Sequence, residues 1–155
     1  MKKMTTLIAA VFALAVPMVS FAAMDHSSMK MEHGAHQGDV AHEEVVNGVK
    51  ATFKIMSMKE HMKAMKMEMP KELKETHHIA VEFKDTKSGK ALTEGAVTIK
   101  LQNPDKSDQT KELMGMQGHF GADFDLSRKG KYGVMSKFQL KDGKVRQSKF
   151  WYTVK

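Results

Sequence analysis

Hydrophobic and polar residues alternate along most of the chain after residue 45, which is the pattern of β-strands with one buried face. In 49–55, for example, valine, alanine, phenylalanine and isoleucine alternate with lysine and threonine. The same pattern predicts further strands at about 77–83, 96–101, 111–114, 120–126, 132–140 and 145–154, with turn-forming residues such as KDGK between them. About seven strands at this spacing predict an all-β protein, an antiparallel β-sandwich of immunoglobulin-like type.

One segment departs from this period of two. Ser57 is followed three residues later by Glu60, the spacing of a capping box. After it Met58, His61, Met62 and Met65 recur at helical spacing until Pro70 ends the pattern. We therefore expect a short helix, or a helical loop, at about 58–67.

The N-terminus predicts export. Two lysines precede an apolar run at 7–16, Pro17 follows it, and small residues precede a cut after Ala22. The apolar run is about ten residues long, whereas a membrane-spanning helix needs about 20. We predict a cleaved signal peptide at 1–22, a periplasmic location, and no membrane span after cleavage.

Composition divides the rest of the chain into two parts. Residues 23–44 hold few aliphatic side chains and many His, Met, Ser, Gly and acidic residues, which predicts a disordered tail. The β-sandwich domain then occupies 45–155. The formal charge of +7 comes from scattered lysines without interleaved aromatic residues, and this spread does not indicate a nucleic-acid partner.

The chain has 15 methionines and eight histidines but no cysteine. Thioether sulfur is a soft, neutral ligand that prefers Cu(I) or Ag(I), and imidazole binds copper in either oxidation state. Thiols oxidise outside the cytoplasm, so methionine and histidine are the practical ligands there. The composition therefore makes copper the suspected metal.

Three clusters could hold such an ion. The tail contains Met24, His26, Met29, Met31, His33, His36 and His42 at irregular spacing. The predicted helix places Met58, His61, Met62 and Met65 on one stripe. The glycine-rich loop MGMQGH offers Met114, Met116 and His119 within six residues. Next to it, His77 and His78 begin a strand, so only one of these two should face the same site.

Each cluster also has a plain structural interpretation. A methionine stripe at helical spacing is commonly a hydrophobic face packed on a core. The tail can be a polar segment with idle histidines, and the loop a strand connection with incidental methionine. The absence of Leu, Ile and Val from 56–69 favours ligands over a simple core face.

The segment THHIAVEF, the AVTIKL strand and the passage MGMQGHFGADFDLSRKGKYGV together resemble the YtkA-like and CopC-like exported copper-handling β-sandwich proteins. Gly118-His119 and Gly130-Lys131-Tyr132-Gly133 carry the resemblance, which covers about 76–155. It implies a β-sandwich that handles copper or another soft metal ion.

The leading hypothesis is a periplasmic metal-binding protein that captures copper for resistance, or for delivery to a cuproprotein or metal exporter. No Ser-His-Asp order, HExxH or haem-binding CxxCH appears, so we do not expect an enzyme. The alternative is a non-catalytic interaction module of the cell envelope without a metal site.

Overall fold

A computed structural model describes residues 38–155 as eight antiparallel strands and one short helix. The elements are β1 (Asp39–Val46), β2 (Val49–Ser57), α1 (Met58–Ala64), β3 (His77–Asp85), β4 (Gly95–Gln102), β5 (Asp108–Met116), β6 (His119–Phe124), β7 (Gly130–Leu140) and β8 (Val145–Val154). The predicted all-β, antiparallel class is confirmed.

The strands form one sheet in the order β1-β2-β3-β6-β5-β4-β7-β8. Strand β5 joins the two halves, because its residues 108–113 pair with β4 and its residues 114–116 pair with β6. The outer strands β1 and β8 then approach each other, and the ring of His42 stacks on Phe150 with centroids 4.6 Å apart. The sheet thus nearly closes into a barrel.

The core lies between the two halves and is formed by inward-facing residues of β2 to β8, while Ala41 and Val46 of β1 are partly buried against it. Aromatic side chains are its largest members. The largest fully buried ones are Tyr132, Phe53, Phe83, Phe124 and Phe138. Their burial removes large apolar areas from water, which is the main force that holds the two halves together.

Strand β1 corrects one prediction. Residues 39–44 were assigned to a disordered tail, yet they pair with β2. The sequence shows no alternation of hydrophobic and polar residues there, because the side chains that contact β8 include polar ones, among them His42 and Glu44. The predicted signal peptide at 1–22 and the tail residues 23–37 lie outside the described residues.

Helix α1 begins where it was predicted but is shorter. The Ser57 hydroxyl accepts a hydrogen bond from the Glu60 amide, and the Glu60 carboxylate accepts one from the Ser57 amide. The helix ends at Ala64, and Lys66 takes a φ of 54° that no α-helix continues through. Within residues 38–155, no helix is long and apolar enough to cross a membrane.

Candidate metal centre

Helix α1 covers the outer face of β2 and β3, and this cover creates a buried polar layer beside β6. On β3, Ile79 points into the core, so His78 must point to the outer face. His78 is nevertheless only 1% exposed, because α1 presses Met58 and His61 onto this part of the sheet. A position that would be solvated on an open sheet is therefore enclosed here.

Three side chains converge in this layer. His61 from α1, His78 from β3 and Asp123 from β6 each offer a ligand atom, and these atoms lie within 4.8 Å of one another. The His78 Nδ1–H donates to Asp123 Oδ1 over 2.6 Å, across the directly paired positions of β3 and β6. A carboxylate that binds one imidazole nitrogen fixes the ring and directs the other nitrogen, Nε2, away from it.

Gly121 makes room for the His78 ring. A Cβ built at Gly121 would lie 2.6 Å from His78 Nε2 and 2.8 Å from its Cε1. Any side chain at this position would displace the ring. Glycine is therefore needed here to leave space for His78, and not to let the backbone turn. The same contact places Nε2 over β6, next to the strand β5.

His119 and Met116 flank the turn between β5 and β6. Gln117 and Gly118 both have positive φ angles, 39° and 87°, which is the conformation of a tight two-residue hairpin. His119 is buried, and its ring is perpendicular to that of His78 with centroids 6.4 Å apart. Met116 is its direct cross-strand partner.

Methionines occupy strand positions paired with residues of the centre. Met56 is buried and pairs directly with His78 across β2 and β3. Met114 pairs with Gly121, so its side chain leaves β5 beside the space that the His78 ring fills. Met114 is 72% exposed, and Met65, which follows α1, is exposed as well. The centre therefore has soft donors both in its interior and at its surface.

The environment favours the metal-binding forms of these groups. Burial lowers the pKa of His61, and the neighbouring His78 lowers it further. The hydrogen bond from His78 holds the pKa of Asp123 below its usual value. A neutral imidazole and an ionised carboxylate at neutral pH are what a metal ion requires of these ligands.

The structure separates the predicted site residues into two groups. It brings His61, His78 and His119 together, with Met58 buried on the same helix as His61 and with Met114 and Met116 on the outer face of β5. Met62 is half-buried on α1 and Met65 is exposed. His77 lies on the other face of β3, where its Nδ1 is 2.8 Å from the Thr76 hydroxyl. His26, His33 and His36 lie outside the described residues.

Sequence reasoning missed Asp123 and Met56. Asp123 stands in the acidic run ADFD and nothing local distinguishes it from Asp125. Its pairing with His78 depends on the register of two strands 45 residues apart in the chain. The alternation along β6 does place Asp123 on the same face as His119, and that signal could have linked them.

Comparison with known proteins supports the fold. No family model matches the sequence, and no curated protein matches it. A copper-bound variant of FetP from uropathogenic Escherichia coli strain F11 is similar in structure, with a TM-score of 0.57 and 13% identity, over 72% of this chain and 93% of that one. A DUF4426 family protein from Pseudomonas aeruginosa PAO1 has a TM-score of 0.54 and 14% identity, over 73% and 93%. At these identities the likeness shows the fold alone, and it agrees with the expected β-sandwich.

Proposed function

We propose that this protein is an exported metal-binding protein whose ligand is copper, and that its role is binding without catalysis. One observation carries the proposal: His61, His78 and Asp123 converge beneath α1, the two histidines buried and the aspartate half-buried, with their ligand atoms within 4.8 Å of one another. Burial of the two histidines costs free energy unless hydrogen bonds or a bound ion compensate for the lost contact with water.

The donor set supports copper among the metals. Imidazole and carboxylate suit Cu(II), whereas the thioethers of Met56, Met114 and Met116 suit Cu(I). Zinc sites in proteins rarely use thioethers, and magnesium or calcium would require more oxygen ligands than this layer offers. FetP, which shares the fold, is copper-bound in the solved structure. Exchange between nitrogen and sulfur ligands would let the protein accept copper and pass it on.

Direct metal titration tests the proposal. The protein without residues 1–22 should bind Cu(I), or Ag(I) as its redox-inert substitute, more tightly than micromolar in competition with a chromophoric chelator. His78→Ala should weaken this binding by ~10-fold or more, because it removes a nitrogen ligand and the partner of Asp123. Met114→Leu with Met116→Leu should weaken binding of Cu(I) more than that of Cu(II).

His77→Ala is the matched control, since it removes a histidine from the same strand on the opposite face. Its copper affinity should equal that of the unmodified protein. If the unmodified protein binds neither Cu(I), Ag(I) nor Cu(II), or if His77→Ala and His78→Ala weaken binding equally, the proposed centre is wrong.

The exposed methionines favour a second candidate function. Met65, Met67, Met69 and Met114 are all exposed, and flexible thioethers can pack against varied apolar partners. An interaction module without a metal site would use this surface. It predicts that replacement of these four residues by Leu preserves partner binding, whereas a copper protein would lose affinity for Cu(I).

A further inference from the structure

The rings of His61 and His78 are stacked, with centroids 3.8 Å apart and planes only 6° from parallel. Two imidazoles that share one ion do not adopt this arrangement. The lone pair of an imidazole nitrogen lies in the plane of its ring, so an ion must lie close to the plane of every ring that binds it.

Two nearly parallel planes have no common position for such an ion. The ring centroids are 3.8 Å apart, so an ion midway between the rings would lie up to about half that distance from each plane. Nitrogen–metal bonds are only about 2 Å long, so both bonds would leave the ring planes at a steep angle, away from the in-plane lone pairs. The ligand atoms of His61 and His78 are therefore near each other but aimed in directions that one ion cannot satisfy.

The pair of His78 and His119 has no such conflict. Their rings are perpendicular at 6.4 Å between centroids, so the planes cross. His78 is also held from behind by Asp123, which leaves little freedom for its ring to turn. His61 is the ring that must move, because it is the one carried by the short helix.

Helix α1 is short and is held to the rest of the fold at its start. It has seven residues, and Met58 and His61 are its buried side chains. Its start is anchored by the Met58 amide, which donates to the Thr76 carbonyl over 2.8 Å. The segment that follows α1 is exposed up to Lys71 and Glu72. A movement of α1 would therefore pivot about residue 58, where the helix is hydrogen-bonded to the segment before β3.

We propose that the His61–His78 stack is the closed, metal-free arrangement of the centre, and that metal binding to His78 separates the two rings and shifts α1 outward. His61 then turns its nitrogen toward the ion from a new direction. This inference rests on the proposed function, and it adds that metal occupancy is reported at the surface by the position of α1 and the methionines after it.

Solution NMR with diamagnetic Ag(I) at constant pH tests the inference. In the metal-free protein, ring protons of His61 and His78 should show a nuclear Overhauser effect. With one equivalent of Ag(I), scalar coupling between silver and a ring nitrogen should mark His78 as a ligand, the ring-to-ring effect should vanish, and the amide signals of residues 59–66 should shift.

Two variants separate the parts of the inference. His61→Phe keeps a stacked ring that cannot bind the ion, so Ag(I) affinity should fall by ~10-fold or more, as for a lost ligand contact. Lys63→Ala changes an exposed residue of the same helix and should behave as the unmodified protein. Circular dichroism verifies that both variants fold.

The outcomes are distinct from those of the proposed function. If no histidine shows silver coupling, the metal centre itself is wrong. If His78 is coupled to silver while the ring-to-ring effect persists and residues 59–66 keep their signals, the centre stands and the movement of α1 is refuted. Absence of the ring-to-ring effect in the metal-free protein also refutes the stacked closed state.

Discussion

At the scale of single residues, the candidate centre depends on two residues that set the position of the His78 ring. Asp123 holds the Nδ1 side of His78, and Gly121 leaves the space into which the ring extends. Partners of metal-binding histidines orient the ring and raise its basicity, so their loss is felt at the ion. Each of the two roles can be tested by one substitution with a neighbouring control.

Asp123→Asn should lower metal affinity by ~10- to 100-fold, the usual cost of losing such a partner. The amide has nearly the same shape as the carboxylate but carries no charge, so it holds the His78 tautomer less firmly and raises the basicity of the ring less. Chelator competition with Cu(I) measures the effect. Asp125→Asn, a change in the turn after β6, is the control, and equal losses in the two variants would contradict the role of Asp123.

Gly121→Ala should displace the His78 ring and abolish its stacking on His61. The added Cβ would lie 2.6 Å from Nε2, a distance that ordinary contacts do not reach. Histidine ring NMR signals and Cu(I) affinity report the change. Gly115→Ala is the matched control on the adjacent strand, since its Cβ would meet Phe120 at an ordinary 3.8 Å. If Gly121→Ala bound copper normally, Nε2 would not face the ion.

At the scale of elements, α1 contributes His61 to the candidate centre on the sheet, and the capping box of Ser57 and Glu60 determines where this helix begins. Ser57→Ala should lower the free energy of unfolding by about 1 kcal/mol, the typical cost of a lost N-cap. It should also loosen His61, since the Glu60 amide loses its acceptor. Urea unfolding measures the first effect. Ser88→Ala, in the turn after β3, should leave α1 and Cu(I) affinity unchanged, and equal affinity losses would contradict the link.

The elements also show which parts of the fold the sequence determines locally. Alternation predicted seven strands, and the capping box predicted the start of α1, because both signals lie within a few neighbouring residues. Strand β1 was missed because polar residues such as His42 take part in its contacts with β8. The role of Asp123 was missed for a related reason: it depends on strand register between distant segments, which no local pattern encodes.

The glycine-rich loop shows a mixed outcome. Gly118 is in the turn with a positive φ, as a sharp reversal requires. Gly115, which was predicted to lie in the loop, lies inside β5, and Gly121 lies inside β6. Their positions became interpretable only when cross-strand neighbours were known, since the need for glycine at 121 comes from a side chain on β3.

At the scale of the whole molecule, the two ends of the nearly closed sheet differ: the candidate metal centre lies at one end and a buried arginine lies at the other. The candidate metal centre lies where β2 ends and β3 begins, whereas Arg146 connects the turns at the opposite end. Its guanidinium donates to both carboxylate oxygens of Asp142 and to the backbone carbonyl of Asn47. This buried side chain thereby ties the β7–β8 turn to the β1–β2 turn and helps to hold the edge strands near each other.

The Arg146 tie makes stability depend on pH in a definite direction. Its hydrogen bonds lower the pKa of Asp142 from 3.8 to about 2. A carboxylate with a depressed pKa in the folded state contributes stability above its unfolded pKa and loses it as pH falls through the folded value. The urea midpoint of the metal-free protein should therefore decline between about pH 4 and pH 2 as Asp142 becomes protonated.

Asp142→Asn should already have the lower midpoint at neutral pH and should lose less of it on acidification, because the contribution of the carboxylate is absent at every pH. Glu68→Gln is the control, since no hydrogen bond or ion pair described within residues 38–155 holds Glu68. Its acid profile should follow that of the unmodified protein. If Asp142→Asn and the unmodified protein lost the same stability between neutral and acid pH, protonation of Asp142 would not be the cause of the acid destabilisation.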